Sequence, residues 1–557
     1  MKGTAHHATR FLEGRRGVLI LVSSGALLLF MGIMWGLPNH WDFAQDSVVP
    51  LGQLARIRAS AFEVTQYRYP PLHLRLLDII FVPLRWFVEH SRIGENPKAT
   101  ATLFVLVARL VSVAMALGTI SMIWRIGERL WNRRVGMLAA ALFLLSPVTL
   151  YYGKNANLDV PYVFWLSLTL LFYVRLLQHE SLFDCVGLGL TAAMAVCTKD
   201  QAYAFLVLMP IPILLRLWRR PMRCGEDHAR STARRWLWPT SGLVVFVIVF
   251  VLIHGIPFDP ARFVRHIRTI VGPASEGWRE CTIGPAGQAR LLALTLLRLF
   301  DAWTPAGVIL ATMGIAIAVR DDSEEARTRR ALLIPVASYY LFFPAVVGYI
   351  YARFALPLLL VFSLFAGDAA DRLLAGSGRR GLRCAGVTLI GWVALAGLSV
   401  NWVMTHYSRY DAQRWLESEY PGGATLAYVG DMRDMPRFNE PLEAVPLVGE
   451  GEDLSLDDAL RSKRPTLLVV SLEAGDPATS GASWRVAGIL RRALSRTTFG
   501  RHTVSDPERE ARARFITDLL AGRSGYRVVR RFRSSIAPFV PEVAESLNRT
   551  IVILERV

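Results

Sequence analysis

The sequence predicts an α-helical polytopic membrane protein of about eleven transmembrane helices with a small α/β domain at its C-terminal end. Three observations predict it. Of 557 side chains, 53% are hydrophobic and only 19% are charged, and the mean hydropathy is +0.34; soluble domains carry roughly 25% charged residues. The apolar residues stand in blocks: residues 18–35 and 236–253 contain no charge, and about 18 consecutive apolar residues can cross a bilayer. The net charge of +18 is also divided unevenly. From Met404 onward 22 basic residues face 21 acidic ones, leaving 41 basic and 24 acidic residues before it. The excess therefore lies in short loops between apolar blocks. That is the pattern that orients a membrane protein, and it excludes nucleic acid as the partner of a basic face. Residues 1–403 are expected to form the transmembrane domain and residues 404–557 the extracytoplasmic one.

The basic loops set the expected topology. Arg10, Arg15 and Arg16 precede a first span at 17–37, which is longer than a signal-peptide core and has no A-x-A cleavage site. It reads as an uncleaved anchor with a cytoplasmic N-terminus. The loop 125–134 carries Arg125, Arg129, Arg133 and Arg134; the loop 216–235 carries seven arginines; a third holds Arg372, Arg379, Arg380 and Arg383. Placing all three in the cytoplasm gives about eleven spans. The C-terminal domain is then periplasmic and the protein sits in the cytoplasmic (inner) membrane. Residues 72–89 look like a further span, but Arg75, Asp78, Arg85 and Glu89 interrupt them. These four fall within about 80° of a helix circumference, a single charged stripe that suits the interface better than the bilayer centre. In the tail, 411–419 reads as helix and 424–429, 466–471 and 550–554 as short strands between Gly, Pro and charged residues. The five cysteines show neither a disulfide framework nor a zinc-ligand spacing.

Four places on the expected outer side carry candidate chemistry. The first outer loop, 38–50, contains Asp42 and Asp46, four residues apart. A carboxylate just outside a span can take the proton of a hydroxyl acceptor, although a solvated loop also contains aspartates. Arg68, Tyr69, Pro70, Pro71 and His73 follow, ahead of the interfacial segment. The third place is 151–159, where Asp159 opens the next span as a third carboxylate or as a helix cap. The fourth is basic: Lys199 with Asp200 at the outer end of a hairpin, and Tyr351 and Arg353 at another outer end. Basic residues there run against the orientation bias. A lipid-linked phosphate explains them, as does snorkelling to headgroups. The loop 258–287, with His254 at its edge, adds Arg262, Arg265, His266, Arg268 and Arg279.

In order and sidedness these motifs resemble a known family. They run from the acidic first loop through Tyr69-Pro70-Pro71-Leu72, the interfacial segment, Ala108-Arg109-Leu110-Val111-Ser112 and Asn157-Leu158-Asp159. Thr198-Lys199 and 351–357 complete the series. The chain is similar over about 17–372 to the GT-C glycosyltransferases of the protein-mannosyltransferase and aminoarabinose-transferase superfamily. The resemblance implies inverting transfer of a sugar from a polyprenyl-phosphate donor to an envelope acceptor (lipid, glycan or protein) on the outer face. It implies Asp46 as the base, with Ser47 where the family commonly carries Glu and Asp42 as a substitute carboxylate. Asp159 takes the place of the second-loop acid, and Lys199 and Arg353, with Tyr351 beside it, stand where the donor phosphate is held. Arg68 stands near the lysine that aminoarabinose transferases carry before the proline pair, and His73 follows that pair. Some members use a divalent metal ion and others none; were one held here, Asp42, Asp46 and Asp159 would hold it. A flippase for lipid-linked sugars, or a non-catalytic binding protein for them, would use the same cations without the base.

Overall fold

The structure is a computed structural model of the whole chain. It describes residues 15–39, 42–44, 47–49, 69–219, 228–271, 279–376, 380–449, 452, 454–472, 507–533, 547 and 549–557. The expected fold class is the observed one: a helical membrane part followed by a small sheet flanked by helices. Seven helices among the described residues are long and apolar enough to cross a membrane, and three shorter apolar helices accompany them. Ten segments thus stand beside the expected eleven or so.

Named here are α1 (Arg15–Phe30), α2 (Leu72–Glu89), α3 (Pro97–Leu130), α4 (Arg133–Leu144), α5 (Asp159–Gln178), α6 (Leu182–Thr198) and α7 (His228–His254). They are followed by α8 (Pro260–Val271), α9 (Pro285–Arg320), α10 (Leu356–Ala375), α11 (Arg380–Thr405) and α12 (Ser408–Glu419). Local sequence explains several boundaries. The Asn96 side chain accepts from Ala99 N at 3.1 Å and Pro97 occupies the first turn of α3, where its missing N–H costs nothing. Asn132 caps α4 in the same way, accepting from Val135 N at 2.9 Å. Helix α9 is broken at Thr304, whose φ of 68° interrupts the ladder immediately before Pro305.

Helix α10 lies inside the bundle against α4 and α9, while α3 packs on α4 and α5, and α6 packs on α5 and α7. Small residues permit the closest approaches. A Cβ on Gly189 of α6 would stand 2.0 Å from the Gly242 carbonyl oxygen of α7, and one on Gly314 of α9 would stand 1.9 Å from the Phe365 carbonyl oxygen of α10. Gly314→Ala is therefore expected to lower stability by about 1–3 kcal/mol through overpacking, read as a lower midpoint of thermal unfolding in detergent. An unchanged midpoint would show that the two helices do not meet there.

Helix α2 is not among the helices that qualify as spans. Its Leu74, Leu77 and Phe81 form a small core with Phe104, Val105 and Ala108 of α3, and with Leu37, Val49 and Ala156 from the loops. The charged stripe borders this face, and within it Arg85 Nη1 donates to Asp78 Oδ1 at 2.7 Å. This packing ties α2 to both loops that carry carboxylates.

Among the described residues the tail forms a five-stranded mixed sheet of β1 (Leu426–Val429), β2 (Ala444–Pro446), β3 (Leu467–Leu472), β4 (Tyr526–Arg533) and β5 (Thr550–Arg556), in the order β2-β1-β3-β5-β4. Strand β1 runs parallel to β2 and β3, and β5 runs antiparallel to β3 and β4. The expected helix and three strands are found at α12, β1, β3 and β5. Strand β3 is buried along its whole length, because both faces are covered. Leu467 and Val469 face Ala412 and Leu416 of α12. Leu468 and Val470 face the opposite layer, which contains Ala459, Leu460, Phe515 and Leu519. Strand β4 closes one edge with Arg527, Arg530, Arg531 and Arg533, and charges of this kind discourage edge-to-edge pairing.

Candidate functional site

Two clusters of charged groups lie at the loop-bearing ends of the helices, joined by the segment 153–158. The first is built on Asp42. Its Oδ1 accepts from Arg109 Nη2 at 2.7 Å and from Ala44 N at 2.9 Å. Arg109 is 0% exposed and Asp42 is 4% exposed, so this ion pair is sealed from water. Arg109 also donates to the Ile33 carbonyl at the end of the first helical segment. The loop has two further fixings. Ser47 N donates to Ala44 O at 3.1 Å, and Val48 N donates to Ala156 O at 2.8 Å. The second of these joins the first loop to the second.

Lys154 is buried between the end of α1 and α11. Its ammonium donates to Leu28 O at 3.2 Å, to Met31 O at 2.6 Å and to Asn401 Oδ1 of α11. A cation is the natural partner for carbonyls left open at a helix C-terminus, here that of α1. Next to it, Asn155 is buried, and neither end of its amide has a hydrogen-bond partner among the described residues.

The second cluster joins two residues predicted from sequence. Lys199, the residue after α6, donates from Nζ to Asp159 Oδ1 at 2.6 Å. Asp159 N is capped by Asn157 Oδ1 at 3.1 Å, so the carboxylate sits on the first turn of α5. One turn on, the Tyr162 ring lies 5.6 Å below the Lys199 ammonium, within cation–π range, and its hydroxyl accepts from Gln201 Nε2 at 2.5 Å. Tyr339 lies within electrostatic reach of Tyr162, Asp159 and Tyr349. Tyr349 in turn feels the charge of Arg353. The Arg353 guanidinium lies 5.0 Å from the Tyr351 ring centroid and 5.7 Å from that of Phe354. Lys199 and Arg353 therefore stand at the two ends of a row of tyrosines. Burial pushes the Tyr349 hydroxyl above its ordinary value, and the Arg353 charge pulls it partly back.

Of the remaining candidates, Asp46 and Arg68 lie outside the described residues. His73 is buried on α2, 1% exposed, and its Nδ1 has no hydrogen-bond partner among the described residues. Burial lowers its pKa from 6.5 to about 4. The folded chain thus keeps the ring neutral down to about pH 4, whereas the unfolded chain protonates it near pH 6.5. Between those values the unfolded state binds more protons, so stability falls as the pH is lowered. The loss is complete below about pH 4 and amounts to roughly 3 kcal/mol at 1.36 kcal/mol per unit. His73→Gln is expected to flatten the acid limb of stability against pH between 6.5 and 4. A limb identical to that of wild type would remove His73 as its cause.

Two functional candidates have no role assigned from sequence. Arg109 did carry a signal: it is the sole charge in residues 99–124 of an apolar helix, and a charge inside a membrane segment marks function or a buried partner. Lys154 looked like an ordinary loop residue because its carbonyl partners lie more than a hundred positions away. For a metal, no group of three or more suitably placed His, Cys, Asp or Glu side chains occurs among the described residues. Asp42 and Asp159 each have a basic partner.

Residues 104–254 match a family model described as dolichyl-phosphate-mannose-protein mannosyltransferase. That segment contains Arg109, Lys154, Asp159 and Lys199. Over that segment the match agrees with the protein-mannosyltransferase resemblance read from the sequence. Among solved structures the chain is similar to ArnT from Cupriavidus metallidurans bound to undecaprenyl phosphate, at 12% identity over 97% of this chain and 98% of that one, with a TM-score of 0.44. It is also similar to the oligosaccharyltransferase AglB from Archaeoglobus fulgidus in complex with an inhibitory peptide and a dolichol-phosphate. That match has 11% identity, covers 82% of this chain and 69% of that one, and has a TM-score of 0.38. No curated protein sequence matches the chain.

Proposed function

We propose, taking the protein-mannosyltransferase signature of residues 104–254 as the premise, that this chain is a GT-C-type membrane glycosyltransferase. It takes a sugar from a polyprenyl-phosphate donor and transfers it, with inversion, to a hydroxyl of an envelope acceptor on the outer face of the cytoplasmic membrane. The observation that carries the reading is where the charged residues of the matched segment lie: Arg109 and Lys199 each meet a carboxylate beside one pair of adjoining loops.

The donor is a phosphodiester with one negative charge. The acceptor oxygen attacks the anomeric carbon as the bond from that carbon to the phosphate oxygen breaks. The electron pair of the broken bond stays on the phosphate, which leaves as polyprenyl phosphate with a second charge. Fixed cations that meet this developing charge lower the barrier, and we assign that role to Lys199 and Arg353. Asp159 orients the Lys199 ammonium by its 2.6 Å bond. Asp46 is assigned as the base that takes the acceptor proton. Asp42, held by Arg109, anchors the loop from which Asp46 acts, and Arg68 and Tyr351 line the donor side. The 404–557 segment is assigned to the periplasm as a separate domain.

The test is Lys199→Met in purified protein reconstituted with polyprenyl-phosphate sugars. Loss of one preorganised charge contact is expected to lower turnover by about 100–1,000-fold while the protein remains folded. Wild-type turnover would take Lys199 out of the donor site.

A further inference from the structure

The first loop is also held from the side of the sheet. Arg409, on the first turn of α12, is buried with 0% exposure. Its guanidinium carbon lies 3.6 Å from the ring centroid of Phe43, 4.6 Å from that of Tyr407 and 5.6 Å from that of Trp35. Phe43 and Trp35 come from the loop and the chain entering it, whereas Tyr407 and Arg409 come from the start of the tail. Phe43 and Trp35 meet edge to face at 5.7 Å, and each also touches Tyr407. Two hydrogen bonds run alongside. Gly36 N donates to Tyr410 Oη at 2.7 Å, and Arg437 Nη1 donates to Leu37 O at 2.9 Å.

Phe43 directly follows Asp42, whose carboxylate reaches the other way to Arg109. The loop is thus gripped between a membrane helix and the tail at two consecutive residues. Burying an arginine is costly, and a leucine or methionine would fill the space more cheaply. What the guanidinium adds is a flat, directional contact that fixes the ring it stacks on, and it is anchored by donating to the Arg433 carbonyl.

We propose that Arg409 is a positioning residue for sugar transfer: through its stack on Phe43, the tail holds the carboxylate-bearing first loop in its working geometry. This rests on the glycosyltransferase reading above and gives the extramembrane domain a part in the reaction.

The test uses full-length protein in lipid nanodiscs with Arg409→Lys, which keeps the charge and loses the planar stack, and Arg409→Met, which keeps the bulk and loses both. Both variants are expected to fold and to bind donor with wild-type KM, since Lys199 and Arg353 are untouched. Turnover is expected to fall by about 100-fold, the scale on which a small misplacement of a reacting group acts. Amide hydrogen exchange should accelerate in residues 32–49 and stay unchanged in residues 195–206. A folded variant with wild-type exchange in 32–49 overturns the clamp. Accelerated exchange with unchanged turnover overturns its role in transfer. A joint loss of donor binding, turnover and cooperative melting in both variants overturns the positioning role in favour of general stability. If wild-type protein transfers no sugar, the glycosyltransferase reading fails, and the exchange data alone decide for or against the clamp.

Discussion

Asp46→Asn is expected to lower sugar transfer by about 100- to 10,000-fold, the range supplied by a positioned general base, with insertion and folding unchanged. Asparagine keeps the shape of the side chain and cannot accept the proton of an attacking hydroxyl. The neighbouring Asp42 is poorly suited to replace it. One of its oxygens is committed to Arg109 and to Ala44 N, and the pair is sealed from water. The described residues on either side of Asp46 are anchored, Asp42 to Arg109 and Val48 to Ala156. The variant therefore removes a proton acceptor without freeing the loop. The check is turnover of a polyprenyl-phosphate sugar by purified variant and wild type at matched folded concentration. Wild-type turnover in Asp46→Asn would remove this residue from the mechanism.

Arg109→Met is expected to cost about 3–5 kcal/mol of stability, because it leaves the Asp42 carboxylate buried without its counter-charge. The double variant Arg109→Met/Asp42→Asn should recover most of the loss, since a neutral amide in that place carries no unpaired charge. Denaturant unfolding in detergent measures both. A single variant as stable as wild type, or a double variant no better than the single, would mean that the 2.7 Å pair does not hold the first loop to α3. Because the same arginine donates to Ile33 O, the single variant should also raise amide exchange around residues 33–44.

The sequence made the membrane part legible through uncharged blocks and arginine-rich loops, both consequences of bilayer physics that need no tertiary information. The stripe of Arg75, Asp78, Arg85 and Glu89 sets α2 apart from the uncharged blocks in the sequence itself. In the tail, β1, β3 and β5 announce themselves as apolar runs because they are buried in the middle of the sheet. Strand β2 has only three residues, and β4 reads as a charged loop because its outward positions are arginines. At the site, residue types were legible and partnerships were not. Asp159 and Lys199 are 40 positions apart and Asp42 and Arg109 are 67 apart, and nothing local ties either pair together. Arg109 could have been found as the lone charge in an apolar helix. Arg409 could not, since it is one of many arginines in a charge-balanced tail and its role comes from the rings of Trp35 and Phe43.

The chain is proposed to break the bond between a sugar and a polyprenyl phosphate and to pass the sugar to an acceptor. The most direct measurement follows both products by mass spectrometry in proteoliposomes containing purified protein, a panel of polyprenyl-phosphate sugars and an envelope extract as acceptor. Free polyprenyl phosphate and a glycosylated acceptor are expected to appear in equal amounts, and neither is expected with Asp46→Asn. Movement of intact donor across the membrane without release of free polyprenyl phosphate, or no change in the donor at all, would contradict the proposal.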